Sequence, residues 1–216
     1  MAKIYLIRHA ESIANTKGIY QGQTYDTKLS PLGEKQAEAV GRRLSAVPLD
    51  ALITSPLMRT KQTAESIQKF QSKAIPLTIE PEIIETNHGE WEGVSKEEIA
   101  KRWPELYEQW LADPMTVIFP AGEAFSDTIG RVREWFESFH RMLAVNTSVA
   151  IVTHSNVIQI LWAHLQKIDF SKLWESPIPQ ATSVTLIEAH SPAKIIFAND
   201  IRHLSGLESD IGTHAI

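Results

Sequence analysis

Ile4-Tyr5-Leu6-Ile7-Arg8-His9-Ala10-Glu11 opens the chain with an apolar run of strand length that passes abruptly into charge. A short apolar run bounded by polar residues is the pattern of a strand covered on both faces, as in the middle of a parallel or mixed sheet. Residues 51–54 and 149–153 repeat it, running into Ser55-Pro56-Leu57-Met58-Arg59 and His154-Ser155-Asn156 respectively, and each is followed by a helical pattern. Strands alternating with helices predict an α/β fold, a three-layer αβα sandwich on a mostly parallel central sheet. Such sheets bind ligands at the carboxyl ends of their strands, where all three charged segments fall.

Working outward, Ser30-Pro31 and Ser55-Pro56 each place a capping hydroxyl before a proline, which predicts two helix starts. Phe125, Ile129, Val132, Phe136, Phe139 and Leu143 recur at helical spacing and mark the core-facing stripe of a long amphipathic helix. Residues 184–188 and 195–198, separated by His190-Ser191-Pro192, predict a hairpin at or near the sheet edge. The stretch 86–123 differs, with Trp91, Trp103, Trp110 and Phe119 spread among short helical pieces broken by Pro104, Pro114 and Pro120. It is expected to be an inserted helical lid. No internal repeat, low-complexity tract or linker is visible, so residues 1–216 are expected to form one domain, and no element is assigned after Asp200.

The 216 residues are 43% hydrophobic and 22% charged, ordinary for a chain that buries a substantial core. A formal net charge of -5 lacks the basic footprint of a nucleic-acid binder. The chain has no cysteine, which excludes disulfides, thiol nucleophiles and thiolate metal sites. Among eight histidines there is no His-Glu-x-x-His pattern or paired ligand spacing, so neither a metal nor a cofactor is expected. No apolar stretch approaches the roughly 20 residues that span a bilayer, and the first apolar run leads straight into Arg8 and His9. A cytoplasmic location follows as an expectation. Neither nucleic acid nor membrane is an expected partner, and a homodimer is compatible with the sequence.

A phosphate ester asks for neutralisation of its non-bridging oxygens, an in-line nucleophile, and a proton for the departing alkoxide. Neutral imidazole attacks phosphorus without first losing a proton from the attacking nitrogen, which suits His9 to the nucleophile's part. Arg8 and Arg59 offer planar, permanently charged forks that match phosphate oxygens. His154, at the head of a helix with unpaired N–H groups, can donate to the phosphoryl oxygens.

The ordered set of motifs resembles the histidine phosphatase superfamily, the phosphoglycerate mutase-like group. It runs from Arg8-His9 through Asn15, Tyr20-Gln21-Gly22, Leu29-Ser30-Pro31-Leu32-Gly33-Glu34 and Ser55-Pro56-Leu57-Met58-Arg59-Thr60. It continues through Glu85, Gly89-Glu90-Trp91-Glu92-Gly93, Gly122-Glu123 and Val152-Thr153-His154. Any one piece is weak, and Arg8-His9 alone would read as a surface pair; the order of the whole set is what is specific. The resemblance implies that His9 is transiently phosphorylated, that Arg8, Arg59 and His154 form the phosphate pocket, and that Glu85 is the general acid. Asn15, Gln21, Gly22 and Ser155 would complete the substrate-binding set. Family members usually carry glycine where this chain has Ala10, and often where it has Ser155. Thr86-Asn87-His88 also departs from the usual pattern, which makes His88 a candidate for reading the substrate beyond its phosphate.

The implied activity is metal-independent phosphomonoester hydrolysis. A mutase is the rival reading, but mutases of this resemblance tend to be longer around the lid. The C-terminal portion looks like small bacterial broad-specificity phosphatases, and the stretch from Glu85 to Gly93 is similar to phosphatases that act on phosphoserine. A non-catalytic phosphate-binding module would normally lack His9, His154 or Glu85, and all three are present.

Overall fold

The computed structural model describes residues 1–189 and 192–209. Its centre is a six-stranded sheet built from β1 (Ala2–Arg8), β2 (Ala51–Thr54), β3 (Leu77–Ile79), β4 (Ser148–Thr153), β5 (Val184–Ala189) and β6 (Lys194–Asp200), in the order β3-β2-β4-β1-β5-β6. The first four run parallel, and β5 and β6 are antiparallel additions beyond β1. The expected hairpin is therefore present, with β6 at the edge; His190 and Ser191 of its turn lie outside the described residues.

Side chains alternate across the sheet as the pleat requires. Ile4 and Leu6 of β1, with Val149 and Ile151 of β4, join the cluster formed by α5 (Phe125–Met142) and α6 (Ser155–Gln166). Ile7, Leu52, Ala150 and Val152 point to the opposite face, where α1 (Pro31–Leu44) and α2 (Met58–Lys69) supply Val40, Leu44, Ala64 and Ile67. Because both faces are covered, the central strands need no polar side, which explains their uninterrupted apolar runs.

The helix starts follow local chemistry. At α1 the Ser30 hydroxyl accepts from the Gly33 N–H at 2.9 Å, as the Ser-Pro signal predicts. The second Ser-Pro signal misleads: α2 begins at Met58, with Leu57 at its N-cap and no side-chain cap. Ser55 still follows β4, its N–H donating to the Val152 carbonyl at 3.1 Å, so the chain leaves the sheet later and the hydroxyl is engaged elsewhere. In α5 the buried Phe125, Ile129, Val132 and Phe136 form the predicted stripe.

Between β3 and α5 the chain makes the expected excursion, carrying α3 (Lys96–Arg102) and α4 (Pro104–Ala112). Ser95 caps α3, with Glu97 and Glu98 in its first turn and Lys101 and Arg102 in its last, matching the helix dipole. Pro104 then serves as the first residue of α4. The segment is held by an aromatic cluster in which Trp91 and Trp110 each lie 5.1 Å from the Phe119 ring. The Trp110 indole N–H donates to the Tyr20 hydroxyl at 3.2 Å, joining the excursion to the loop after β1. Residues 201–209 run back over α1, where the Gln36 side chain donates to the Leu207 carbonyl at 2.8 Å. Among the described residues, no helix is long and apolar enough to cross a membrane.

Candidate active site

The register of the two central strands builds the site. β1 and β4 pair in parallel with Arg8 opposite Thr153, so the next residues, His9 and His154, emerge side by side at the carboxyl ends. Their rings lie 5.3 Å apart at 60°. The His9 Nδ1 is 2.7 Å from the Ala10 carbonyl oxygen, a contact possible only if Nδ1 carries the proton and donates. The basic lone pair then belongs to Nε2, on which the Nε–H of Arg59 converges at 3.3 Å.

Arg59, in the first turn of α2, is buried and held at both remaining nitrogens: Nη1 donates to Asp26 Oδ1 at 3.0 Å and Nη2 to the Gly22 carbonyl at 3.0 Å. Arg8 donates through Nη1 to the Pro179 carbonyl at 2.6 Å. Burial draws the Arg8 guanidinium down to about 10, against which the nearby Glu85 carboxylate acts, and Arg59 is lowered for the same main reason. Both remain cationic at neutral pH. Two buried guanidiniums beside one carboxyl leave an excess of positive charge that suits a dianionic guest.

Glu85 sits opposite. Its Oε1 accepts from the Thr86 N–H at 2.8 Å, and the Asn156 N–H in the first turn of α6 also favours its charged form. Burial outweighs these contacts and both arginines, so the carboxyl is pushed above its ordinary value. That is the condition for a carboxylic acid to hold a proton for delivery. His154 is driven well below the ordinary histidine value, first by burial and then by Arg59, His9 and Arg8. It stands as a neutral ring with Nε2 2.7 Å from the Ser55 hydroxyl.

Arg8, His9, Asn15, Gln21, Arg59, Glu85, His88 and Ser155 of the sequence-derived set all line one narrow cavity of about 20 Å³, joined by Tyr20. That is room for about one water molecule. Asn15 turns its Oδ1 to the Ser12 N–H at 3.0 Å and hydroxyl at 2.9 Å, and Gln21 accepts from the Thr27 hydroxyl at 3.1 Å. Two of the set do not line the cavity: the Gly22 carbonyl anchors Arg59, and His154 packs its ring 5.3 Å from that of His9. His88 is deeply buried, with its ring 4.7 Å from Phe119 and 5.4 Å from Tyr20. Its Nδ1 donates to the Gln21 carbonyl at 3.1 Å, and burial lowers it to about 4. It therefore meets the cavity as an uncharged ring.

Sequence reasoning missed Ser55 and Asp26. The Ser-Pro reading of Ser55 as a helix cap concealed its contact with His154, and a single loop aspartate carries no pattern. Tyr20 stood inside a quoted motif without being given a part. Among the described residues no cluster of three or more histidine and carboxylate groups is placed to hold a metal ion.

A mostly parallel sheet whose strand ends gather two histidines, two arginines and a buried carboxyl of raised proton affinity around a small cavity fits a phosphoryl-transfer enzyme. The chain belongs to the histidine phosphatase superfamily (branch 1), whose family model matches residues 4–198. It is 37% identical over 174 residues to phosphoserine phosphatase 1 of Hydrogenobacter thermophilus, covering 81% of each chain. It is 30% identical over 169 residues to a 2,3-bisphosphoglycerate-dependent phosphoglycerate mutase of Cytophaga hutchinsonii, covering 78% of this chain and 79% of the other. The solved structure of YhfR from Bacillus stearothermophilus superimposes with a TM-score of 0.88 at 30% identity, over 94% of this chain and all of that one. The protein is a hydrolase of phosphate monoesters that acts on small phosphorylated substrates.

Proposed function

We propose that hydrolysis proceeds through a phosphohistidine at His9 Nε2, without a metal or cofactor, and that the physiological ester is a small phosphorylated amino acid such as phosphoserine. The single observation that carries the reading is the bond from His9 Nδ1–H to the Ala10 carbonyl, which turns the basic nitrogen toward Arg59 in the cavity. In the first step Nε2 forms a bond to phosphorus as the ester P–O bond breaks, and the departing alkoxide takes the proton from Glu85. In the second, the Glu85 carboxylate takes a proton from water, the resulting hydroxide bonds to phosphorus, and the P–N bond breaks to release phosphate.

Arg8 and Arg59 would neutralise the equatorial oxygens, and neutral His154 would donate to one of them as charge develops. Asn15, Gln21 and Ser155 would meet the phosphate or the leaving group. The segment 86–123, which brings His88 to the cavity beside Glu85, is assigned the part of a lid over a single domain. The amino-acid ester is favoured by the uncharged His88 and by the name of the relative at 37% identity. The net charge of -5 supports a small-molecule partner without nucleic acid, and the proposed setting is the cytoplasm, as a monomer or homodimer.

The test is acid-quenched and base-quenched single turnover with a radiolabelled phosphoryl group. An acid-labile, base-stable adduct is expected on the wild type and none on His9→Ala, which should lose turnover altogether. Full turnover by His9→Ala, or label on another side chain, would end the reading. A panel of phosphomonoesters assayed with chelator, together with a 3-phosphoglycerate isomerisation assay with and without bisphosphoglycerate, separates it from a mutase.

A further inference from the structure

One carboxylate outside the proposed chemistry collects an unusual number of donors. Glu92 Oε1 accepts from the backbone N–H of Gln23 at 3.0 Å and of His88 at 3.0 Å. Its Oε2 accepts from the N–H of Thr24 at 2.6 Å, from the N–H of Tyr25 at 3.0 Å, and from the Thr24 hydroxyl. Three consecutive N–H groups of the loop after β1 thus close on a single side chain. The two ends of that loop are the rear anchors of Arg59: the Gly22 carbonyl and the Asp26 carboxylate, which also accepts from the Met58 N–H at 2.5 Å. Gln23, in the middle, donates through its side chain to the Glu85 carbonyl at 2.8 Å.

The geometry points to Glu92 as a positioning residue: by holding residues 23–25 it aims the Arg59 fork at His9. This inference rests on the phosphohistidine reading above. Burial alone would raise the Glu92 carboxyl, but the donors from Thr24, Gln23 and Tyr25 outweigh it and keep the group below its ordinary value, hence charged. Only an ionised carboxylate offers acceptors to all these groups; an amide would turn its NH2 against donors. The fit is tight as well. Gly22 has φ +151°, and a Cβ there would stand 2.0 Å from Glu92 Oε1.

The experiment is a double-mutant cycle between Glu92→Gln and Arg59→Lys, read as kcat/KM on p-nitrophenyl phosphate and as the inhibition constant of inorganic phosphate. In the wild-type background, Glu92→Gln is expected to lower kcat/KM at least about tenfold and to weaken phosphate inhibition, since small misplacements of a charge clamp are costly. In the Arg59→Lys background, where the fork is already gone, the same change should cost no more than about twofold. Equal losses in both backgrounds, or wild-type kinetics in Glu92→Gln, would overturn the inference. If Glu92→Gln fails to fold, Glu92→Asp, which keeps the charge but withdraws it from the loop, takes its place in the cycle with the same expected pattern and the same refuting outcomes. His9→Ala run alongside separates the two levels: turnover there defeats the phosphohistidine reading, whereas a dead His9→Ala with an unaffected Glu92→Gln defeats only the role given to Glu92.

Discussion

His88 makes the stability of this fold depend on pH in a calculable way. Its value is lowered from 6.5 to about 4 because burial excludes the charged ring, so the native state refuses a proton that the unfolded chain accepts. The unfolded state therefore binds more protons, and stability rises with pH through this interval. The contribution is nearly complete above the unfolded value and is lost as pH falls toward the folded one. Between about pH 7 and about pH 5 the loss works out to about 2 kcal/mol, from an average uptake of about two-thirds of an extra proton on unfolding. His154, lowered for the same reason, acts in the same direction. Replacing His88 with glutamine keeps a donor for the Gln21 carbonyl and an acceptor facing Asn156 while removing the titration. Urea unfolding followed by tryptophan fluorescence at the two pH values would give the wild type and His88→Gln each a difference in stability. The static cost of the substitution cancels within each pair, and the variant's loss on acidification should be smaller by about 2 kcal/mol. Identical losses would refute the idea that His88 is held neutral, and with it the uncharged wall given to the cavity.

Glu85→Gln should slow esters of poor leaving groups by a factor of about 100 or more while affecting p-nitrophenyl phosphate far less; equal losses on both would remove Glu85 as the proton donor. As its carboxyl is raised, wild-type rates on the poor esters should fall as pH rises through that value, a limb absent from Glu85→Gln profiles. Ser55→Ala leaves His154 Nε2 without its 2.7 Å partner and should lower kcat about tenfold with KM nearly unchanged, read from steady-state kinetics. Gly33→Ala would place a Cβ 1.9 Å from the Glu11 carbonyl oxygen and should cost about 1–3 kcal/mol of stability, measured by urea unfolding.

Where the chain is buried on both sides, sequence and structure agree closely. β1, β2 and β4 could be read because a strand inside a three-layer sandwich carries no polar face, and α5 because only one of its faces meets the sheet. β3 escaped notice: it is three residues long at the edge, follows Pro76, and none of its side chains is fully buried. The same division runs through the site. Arg8, His9, Arg59 and His154 were legible because strand ends place them, whereas Asp26, Ser55 and Glu92 act through contacts made across 32 to 99 positions of sequence. A loop carboxylate that binds backbone N–H groups has no periodicity and no partner side chain to pair with in the sequence, so its part is visible only once the fold is closed.

The insertion of β4 between β1 and β2 has a consequence for how the enzyme comes into being. His9 follows β1, whereas the strand that seats His154 against it begins only at Ser148, after β2, β3 and the helical excursion. Until that late segment threads into the middle of the sheet, the earlier strands have a gap where their neighbour belongs, and the nascent chain has no assembled catalytic centre to act on cellular phosphates. The regain of turnover after dilution from denaturant thus times the closing of the sheet's centre.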